Sequence, residues 1–288
     1  MIAAYFTKVP LRMHTFTGLI FPSKKGFLQK LLITMDKVLC KFATNIYPEG
    51  EGVKKDLLHY KITAKPLKVI VNGNVNGINT SYFNPQLFSI EEKETLKQQL
   101  GVNKNDFVFI FVGRLVGDKG INELVKAFNE LTGNSYEARD KRQEGLISNQ
   151  QPTTNNQQSL SENSKLQTLN SKLLLVGPFE QELDPLKKET INSIKTNPNI
   201  ISVGYKQDVR PYFSIANVLV FPSYREGFPN VVMQAGAMGL PSIVSNINGC
   251  NEIIIEGKNG WIIPVKNTIA LEKAMSDCVM NREPFIKV

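Results

Sequence analysis

Short apolar runs alternate along the chain with stretches of helical spacing. Six runs are apolar or β-branched at nearly every position, which is typical of strands covered on both faces. They are residues 68–71, 107–112, 173–176, 200–203, 218–221 and 242–245. Helical spacing occurs over residues 121–131, 180–195, 230–238 and 269–280. This alternation predicts a parallel, doubly wound α/β sheet, and such sheets bind ligands at the carboxyl ends of their strands.

Residues 24–47 have a helical pattern of their own near the N-terminus. The lysines lie mostly off the face that carries the large apolar side chains, which are Phe27, Leu31, Met35, Val38, Leu39 and Phe42. A helix that packs on its own sheet and keeps a solvated basic side accounts for this pattern. Contact of the same helix with an anionic membrane surface is the alternative.

Two polar segments interrupt the alternation. Residues 133–171 are rich in Asn, Gln, Ser and Thr, and burial cannot offset their ordering entropy, which predicts a disordered insertion. Residues 73–83 are rich in Gly and Asn and suit a crossing between domains. We therefore expect an N-terminal domain over 1–85, a linker over 86–105 and a C-terminal domain over 106–288.

Composition narrows the class of protein. The chain has 288 residues, of which 42% are hydrophobic and 21% charged, and these fractions exclude a wholly disordered, collagen-like or coiled-coil chain. No apolar run approaches the roughly 20 residues that span a bilayer. The apolar stretch before Lys8 is too short for the hydrophobic region of a secretory signal. Three scattered cysteines, Cys40, Cys250 and Cys278, favour a reducing cytoplasm.

The net charge of +8 is concentrated near the N-terminus. Residues 1–100 carry 14 Lys and Arg against 7 Asp and Glu. A basic surface can face nucleic acid, an anionic membrane or phosphorylated substrates, and it can also be simply a solvated face. Because no nucleic-acid-binding motif or interleaved aromatic pattern accompanies the charge, we expect no nucleic-acid partner.

A glycine-rich turn with two cations follows the run at 107–112. Its sequence over 112–120 is VGRLVGDKG, and Arg114 and Lys119 lie five residues apart on it. Glycines permit close backbone approach and the two cations can converge on a diphosphate. The spacing matches neither the dinucleotide fingerprint nor the P-loop. An ordinary βα turn with solvated Arg and Lys is the alternative.

A second loop carries an acid between a strand and a helix. Residues 221–239 read FPSYREGFPNVVMQAGAMG, with Glu226 in the loop and Gln234 on the helix. Pro229 suits the first position of that helix, whose free N–H groups can meet an anion. Glu226 can accept hydrogen bonds from sugar hydroxyls and Gln234 can bond a ribose edge. The alternative is a surface Glu and a helix-packing Gln.

Together these segments resemble the donor-binding domain of glycosyltransferase family 4, also called group 1. The matching pieces, in the family's order, are GRLVGDKG, GPFE, VGYKQDVRPYF, PSYREGFPNVVMQAGAMGLPSIVS, NGCNEII and GKNGWIIPV. The resemblance implies a GT-B fold and a retaining hexosyl transfer from a nucleoside-diphosphate sugar. The stretch from NIYPEGEGVKKDL to VNGNVNGINTSYF also looks like the end of the family's N-terminal domain, particularly in bacterial capsule and exopolysaccharide enzymes. This implies a lipid-linked glycan acceptor and a cytoplasmic, peripheral place at the inner membrane face.

The resemblance also implies roles for individual residues. Arg114 and Lys119 would bind the donor phosphates, Glu226, the first acid of the E-x7-E motif, would contact the transferred sugar, and residues 204–206 would lie along the base. The implied catalytic residues are Glu226, Arg114 and Lys119, and the implied donor-binding residues are Arg114, Lys119, Tyr205, Lys206, Glu226, Gly227, Phe228, Pro229, Asn230 and Gln234. Catalysis would rest on positioning and charge stabilisation, without a dedicated base, metal ion or cofactor.

Three features depart from the family pattern. Gln234 stands where the second acid is usual, which removes charge-assisted bonding to the nucleotide. His14 and Thr17 lie in a segment like the acceptor side, where many members have a histidine at the position of Thr17. The chain also resembles a complete or nearly complete C-terminal Rossmann-like domain with a partial N-terminal one, shortened at both ends. A truncated, inactive or donor-binding-only protein is therefore the alternative to an active transferase.

Overall fold

The computed structural model describes residues 1–133, 170–180, 182 and 184–281. The described chain forms two compact units. The first comprises residues 1–78, 225–233 and 246–253, and the second comprises the described residues within 79–224, 234–245 and 254–288. Residues 134–169 of the predicted insertion lie outside the described residues, and Ser171, which the prediction included, is the first residue of a strand.

Helices and strands alternate along most of the described chain. The helices are α1 Ile2–Phe6, α2 Gly26–Phe42, α3 Glu51–His59, α4 Ile90–Gln99, α5 Ile121–Leu131, α6 Lys188–Thr196, α7 Arg210–Ser214, α8 Asn230–Ala237, α9 Cys250–Ile253 and α10 Thr268–Met280. The strands are β1 Met13–Phe16, β2 Asn45–Pro48, β3 Phe107–Val112, β4 Ser171–Val176, β5 Ile200–Gly204, β6 Val218–Phe221, β7 Ser242–Ser245 and β8 Gly260–Ile263.

The second unit is built on six parallel strands in the order β5-β4-β3-β6-β7-β8. From β3 the chain moves outward to β4 and β5, and it then returns to the other side of β3 for β6, β7 and β8. The strand order therefore reverses between β3 and β6. Open α/β sheets bind ligands at such a switch point, outside the carboxyl ends of the strands. The prediction of a doubly wound parallel sheet is confirmed.

Burial on both faces explains why the central strands are apolar throughout. Phe109, Ile110 and Phe111 of β3 are completely buried, as is Leu219 of the neighbouring β6. The helix α5 packs against α6 and α10 and buries Phe128 and its other apolar residues on one side. Continuous apolar runs are what a sheet covered by helices on both faces requires.

The first unit contains a small parallel sheet of β1 and β2, which α2 connects. Its core gathers side chains from β1, β2, α2 and α3, among them Phe16, Cys40, Ile46 and Leu57. The predicted packing of the apolar face of α2 is only partly correct, because Phe27 is 80% exposed and other members of that face are also exposed. In the described part of the chain, no helix combines the length and the apolar character needed to cross a bilayer.

Three predicted elements differ from the structure. Residues 68–71 form no strand. The β-bridge at this point joins Ile46 to Leu67, the residue before the run, so residues 68–71 have no neighbouring strand to pair with. The helix predicted over 180–195 begins at Lys188, because the preceding segment instead accepts hydrogen bonds from the loop after β3. The helix predicted over 24–47 is α2 alone, since its last residues belong to β2.

The stretch between the predicted domains has regular structure of its own. Residues 86–105, predicted as a linker, contain α4. Its N-terminus is fixed by a capping box, in which the Ser89 hydroxyl accepts the Glu92 N–H and the Glu92 carboxylate accepts the Ser89 N–H. The first unit also includes residues 225–233 and 246–253, which lie within the predicted C-terminal domain. The domain boundaries stay a prediction.

Candidate functional site

Two glycines allow the loops after β3 and β4 to run in contact. Gly113 and Gly177 have φ values of +150° and +149°, which L side chains rarely adopt. The Gly113 N–H donates to the Val176 carbonyl at 2.9 Å. A Cβ on Gly177 would lie 1.8 Å from the Gly113 carbonyl oxygen. The parallel pairing of the strands therefore continues beyond their ends, as far as a bridge between Leu115 and Phe179.

This contact places Arg114 beside an acid that the sequence did not single out. The Arg114 guanidinium lies 2.9 Å from the carboxylate of Glu180, and the two side chains are 46% and 39% exposed. An ion pair at this level of exposure contributes only about 0–1 kcal/mol. Arg114 can therefore exchange Glu180 for an anionic ligand at little energetic cost, while the pairing of the two loops keeps it at the carboxyl edge of the sheet.

Lys119 lies at the far end of the same loop after β3. It closes a 3₁₀ turn, Gly117–Lys119, and its ammonium is 5.8 Å from the ring centroid of Phe221, the last residue of β6. The following Gly120 has φ +72°, and a Cβ there would lie 2.2 Å from the Pro222 carbonyl oxygen. The loops after β3 and β6 are therefore in direct contact, and Lys119 lies where they meet.

Tyr224 joins the same two loops and was not identified from the sequence. Its N–H donates to the Asp118 carbonyl at 2.8 Å, and its hydroxyl donates to the Glu123 carboxylate at 2.6 Å. The Lys266 ammonium lies 4.5 Å from its ring centroid. Burial, followed by the hydrogen bond to Glu123, raises the pKa of the Tyr224 hydroxyl. Tyr224 therefore fixes the chain two residues before Glu226.

The turn after β5 carries two further predicted residues. Gly204 has φ +68°, which lets the chain turn sharply at the end of β5. Tyr205 is 73% exposed, and the Lys206 ammonium lies 5.9 Å from the Tyr212 ring centroid. An exposed aromatic ring at the carboxyl end of the sheet is suitable for stacking on a planar ligand.

Residues 226–230 form a loop of the first unit, where they are enclosed by the N-terminal segment. A Cβ on Gly227 would lie 1.9 Å from the Thr17 carbonyl oxygen and 2.7 Å from the Glu49 carboxylate. Phe228 is buried, and its carbonyl accepts a hydrogen bond from the Asn74 side chain at 3.2 Å. We refer to residues 226–230 as the 226–230 loop. Its conformation depends on residues more than 150 positions earlier in the chain.

The carboxyl group of Glu49 lies under this loop. Glu49 is 6% exposed. Burial raises the pKa of its carboxyl group to about 7, a hydrogen bond from the Phe228 backbone acts in the opposite direction, and the nearby Glu226 carboxylate raises the pKa further. The Glu226 carboxylate therefore repels a charge on Glu49, and Glu49 holds its proton more tightly than an exposed glutamate.

A third acid secures the helix that follows Glu49. The Glu252 carboxylate accepts the N–H groups of Glu51 at 2.7 Å and Gly52 at 3.0 Å, at the N-terminus of α3. A Cβ on Gly52 would lie 2.5 Å from the Asn248 side chain, so the loop before α9 approaches α3 closely. A carboxylate at a helix N-terminus is favourable to the helix dipole. Residues 246–253 thus stabilise the segment that carries Glu49.

Four predicted residues remain, on or just before α8 and on β1. Gln234 is half-buried on α8, and Asn230 at the start of that helix accepts a hydrogen bond from Asn74 at 2.5 Å. His14 packs edge to face on Phe16 with ring centroids 4.5 Å apart. Burial lowers its pKa. Pro229 is buried immediately before α8.

The structure therefore brings the predicted residues together in two groups. Arg114 and Lys119 belong to the second unit, on the loop after β3 at its switch point. Thr17 and the residues Glu226, Gly227, Phe228, Pro229 and Asn230 belong to the first unit. The sequence missed Glu180, Tyr224 and Glu49, although each lies within or beside a segment that it singled out. Among the described residues, no group of three His, Cys, Asp or Glu is arranged to hold a metal ion.

Comparison with known proteins identifies the family. The sequence profile described as glycosyl transferases group 1 matches residues 92–284, which is most of the chain. The chain belongs to this family. Its structure is similar to the crystal structure of HepE from Anabaena in complex with UDP and glucose, with a TM-score of 0.73 at 18% identity over 98% of this chain and 65% of HepE. The predicted α/β fold of the GT-B type is confirmed.

Two sequence relatives are named as glycosyltransferases. The capsular polysaccharide biosynthesis glycosyltransferase CapM of Staphylococcus aureus is 30% identical over 91% of this chain and 59% of CapM. The UDP-Gal:alpha-D-GlcNAc-diphosphoundecaprenol alpha-1,3-galactosyltransferase of Escherichia coli is 26% identical over 97% of this chain and 64% of that enzyme. The chain thus spans about three fifths of the length of these relatives.

Proposed function

We propose that this protein transfers a sugar, with retention of configuration, from a nucleoside-diphosphate donor to a lipid-linked glycan in bacterial surface polysaccharide synthesis. One observation carries the proposal. Within a group 1 glycosyltransferase fold, two cations lie on the loop after β3, at the switch point between β3 and β6. The carboxyl ends of parallel strands at a switch point are the usual place for a nucleotide in doubly wound sheets.

Arg114 and Lys119 are proposed to bind the donor diphosphate. Arg114 presents a planar guanidinium that can form two parallel hydrogen bonds to phosphate oxygens. Its exposed ion pair with Glu180 can break at little energetic cost. Lys119 adds a second positive charge where the loops after β3 and β6 meet. In the transfer, negative charge accumulates on the leaving diphosphate. Cations already held in place stabilise that charge without reorganisation.

The 226–230 loop is proposed to hold the sugar and part of the diphosphate. Glu226 would accept hydrogen bonds from sugar hydroxyls, and the backbone N–H groups from Gly227 to Asn230 would donate to phosphate oxygens. Gln234 would bond the ribose without a charge. Tyr205 and Lys206 would lie along the base, and His14 and Thr17 would face the acceptor side. Neither a metal ion nor a cofactor is part of this proposal.

The names of the relatives support the class of acceptor. CapM is named for capsular polysaccharide synthesis, and the E. coli enzyme is named for transfer of galactose from UDP-Gal to a diphosphoundecaprenol-linked sugar. We propose an acceptor of the same chemical type, reached at the cytoplasmic face of the membrane. The exposed apolar side chains of α2, such as Phe27 and Met35, and its lysines support contact with an anionic lipid surface.

The second candidate is a donor-binding protein without transferase activity. Gln234 favours this candidate, because it stands where the family usually has the second acid of its motif. Two measurements distinguish the candidates. Calorimetric titration with a panel of nucleoside diphosphates tests donor binding, and release of nucleoside diphosphate in the presence of a lipid-linked acceptor tests transfer. Turnover by the purified chain excludes the second candidate. Binding without turnover favours it, and absence of binding contradicts both.

A further inference from the structure

The peptide group of Phe228 is held on both sides by residues of the N-terminal segment. Its N–H donates to the Glu49 carboxyl group, and its carbonyl accepts from the Asn74 side-chain amide at 3.2 Å. The same amide of Asn74 donates to the Asn230 side chain at 2.5 Å. The N–H of Asn74 in turn donates to the Glu49 carbonyl at 2.8 Å. Glu49 and Asn74 therefore hold each other as well as the loop.

Close packing leaves the loop little freedom in this position. The Thr17 carbonyl and the Glu49 carboxyl group leave no space for a side chain at Gly227. Gly73 has φ +105°, and a Cβ there would lie 2.5 Å from the Phe228 ring. Asn74 itself has φ +53°, a left-handed conformation that Asn tolerates better than most residues. The backbone on each side of the loop is thus shaped to bring these groups together.

A purely structural role does not require an acid at position 49. Glu49 is 6% exposed and lies near Glu226, so burying its carboxyl group costs desolvation free energy. An apolar side chain would fill the same volume without the desolvation penalty. What the carboxyl group provides is a hydrogen-bond acceptor for one particular peptide, in a loop whose N–H groups are proposed to meet phosphate.

We propose that Glu49 and Asn74 are positioning residues for the 226–230 loop, holding the Phe228 peptide so that Glu226 and the loop amides are oriented before the donor binds. The inference rests on the proposed function of the loop in donor binding. Neither residue needs to touch the donor. Preorganisation of this kind strengthens binding because less ordering remains to be done when the ligand arrives.

Three variants test the proposal. Glu49→Ala removes the acceptor, whereas Glu49→Gln keeps a neutral acceptor of the same shape. Asn74→Asp removes the donor to the Phe228 carbonyl but keeps the oxygen that accepts the N–H groups of Asn76 and Gly77. Glu51→Gln is the matched control, because it changes an exposed acid two residues from Glu49. Circular dichroism establishes that each variant is folded.

The first measurement is the dissociation constant of the best-bound nucleoside diphosphate. We expect Glu49→Ala and Asn74→Asp to weaken binding about tenfold, as loss of a charge-assisted or buried hydrogen bond would do. We expect Glu49→Gln to restore affinity to within about threefold of the unsubstituted protein, and Glu51→Gln to leave it unchanged. Unchanged affinity in both folded variants, in a protein where Arg114→Ala weakens binding, would overturn the proposal.

The second measurement needs no ligand and separates this inference from the proposed function. Amide hydrogen exchange at Phe228, followed by mass spectrometry of peptides spanning 226–230, should accelerate at least tenfold in Glu49→Ala and remain slow in Glu49→Gln. If the unsubstituted protein binds no nucleoside diphosphate, the proposed function fails and this exchange pattern alone decides the inference. Equal exchange in all variants contradicts it. If Glu49→Ala does not fold, Glu49→Gln and Asn74→Asp are compared.

Discussion

Replacing Glu49 by glutamine should stabilise the protein at neutral and alkaline pH and remove part of its pH dependence. The folded protein binds the Glu49 proton more tightly than the unfolded chain does, because burial outweighs the hydrogen bond from Phe228 and Glu226 adds repulsion. Below about pH 4.5 both states are protonated, and this group then adds no pH dependence. Between about pH 4.5 and 7 the unfolded chain loses the proton first, so that stability falls as the pH rises.

The size of the effect follows from the two pKa values. A tenfold change in proton affinity corresponds to about 1.4 kcal/mol, so a rise from the ordinary 4.5 to about 7 amounts to about 3 kcal/mol. Glutamine does not ionise and keeps a hydrogen-bond acceptor for Phe228. The free energy of unfolding of Glu49→Gln should therefore exceed that of the unsubstituted protein by up to about 3 kcal/mol above pH 7, with a much smaller difference at pH 5.

Urea unfolding at pH 5, 6, 7 and 8, followed by far-ultraviolet circular dichroism, measures this difference. The control is Glu51→Gln, which removes an exposed acid and should give a curve parallel to that of the unsubstituted protein. A difference between Glu49→Gln and the unsubstituted protein that stays constant from pH 5 to 8 would refute the reasoning. It would mean that Glu49 titrates in the folded protein as it does in the unfolded chain.

Three further substitutions test other parts of the structure. Gly177→Ala should destabilise the protein by about 3 kcal/mol in urea unfolding, because the new Cβ meets the Gly113 carbonyl at a φ that disfavours alanine; an unchanged midpoint would contradict the close approach. Tyr224→Phe should lower the free energy of unfolding by about 2 kcal/mol in the same assay, because the hydrogen bond to Glu123 is lost. Ser89→Ala should lower the free energy of unfolding by about 1 kcal/mol, because the N-terminus of α4 loses its cap. A variant as stable as the unsubstituted protein would exclude a role for the capping box.

The sequence predicts the second unit far better than the first. The strands β3, β6 and β7 have the predicted bounds because both faces of each are buried, which makes the run apolar throughout. Residues 68–71 carry the same pattern but form no strand, since a strand also needs a neighbour to pair with. The strands β1 and β2 have four residues each and mix polar with apolar positions, so no local pattern distinguishes them.

The candidate site could be predicted only where its residues share a short motif. Arg114 and Lys119 lie on one glycine-rich turn, and the spacing alone suggested that they converge. Glu180 reaches Arg114 from 66 residues away, and Glu49 lies against a loop almost 180 residues later in the chain. Such neighbours follow from the strand order and from close glycine contacts such as that at Gly227, which no sequence periodicity encodes.

Binding of nucleoside diphosphate to substituted proteins tests the central claim most directly. We expect the unsubstituted protein to bind at least one nucleoside diphosphate, and Arg114→Ala and Lys119→Ala each to raise the dissociation constant about tenfold or more. Lys126→Ala, which removes an exposed lysine of α5 paired with Glu130, should leave the constant unchanged. If neither Arg114→Ala nor Lys119→Ala alters the affinity, these cations do not bind the donor and the account is contradicted.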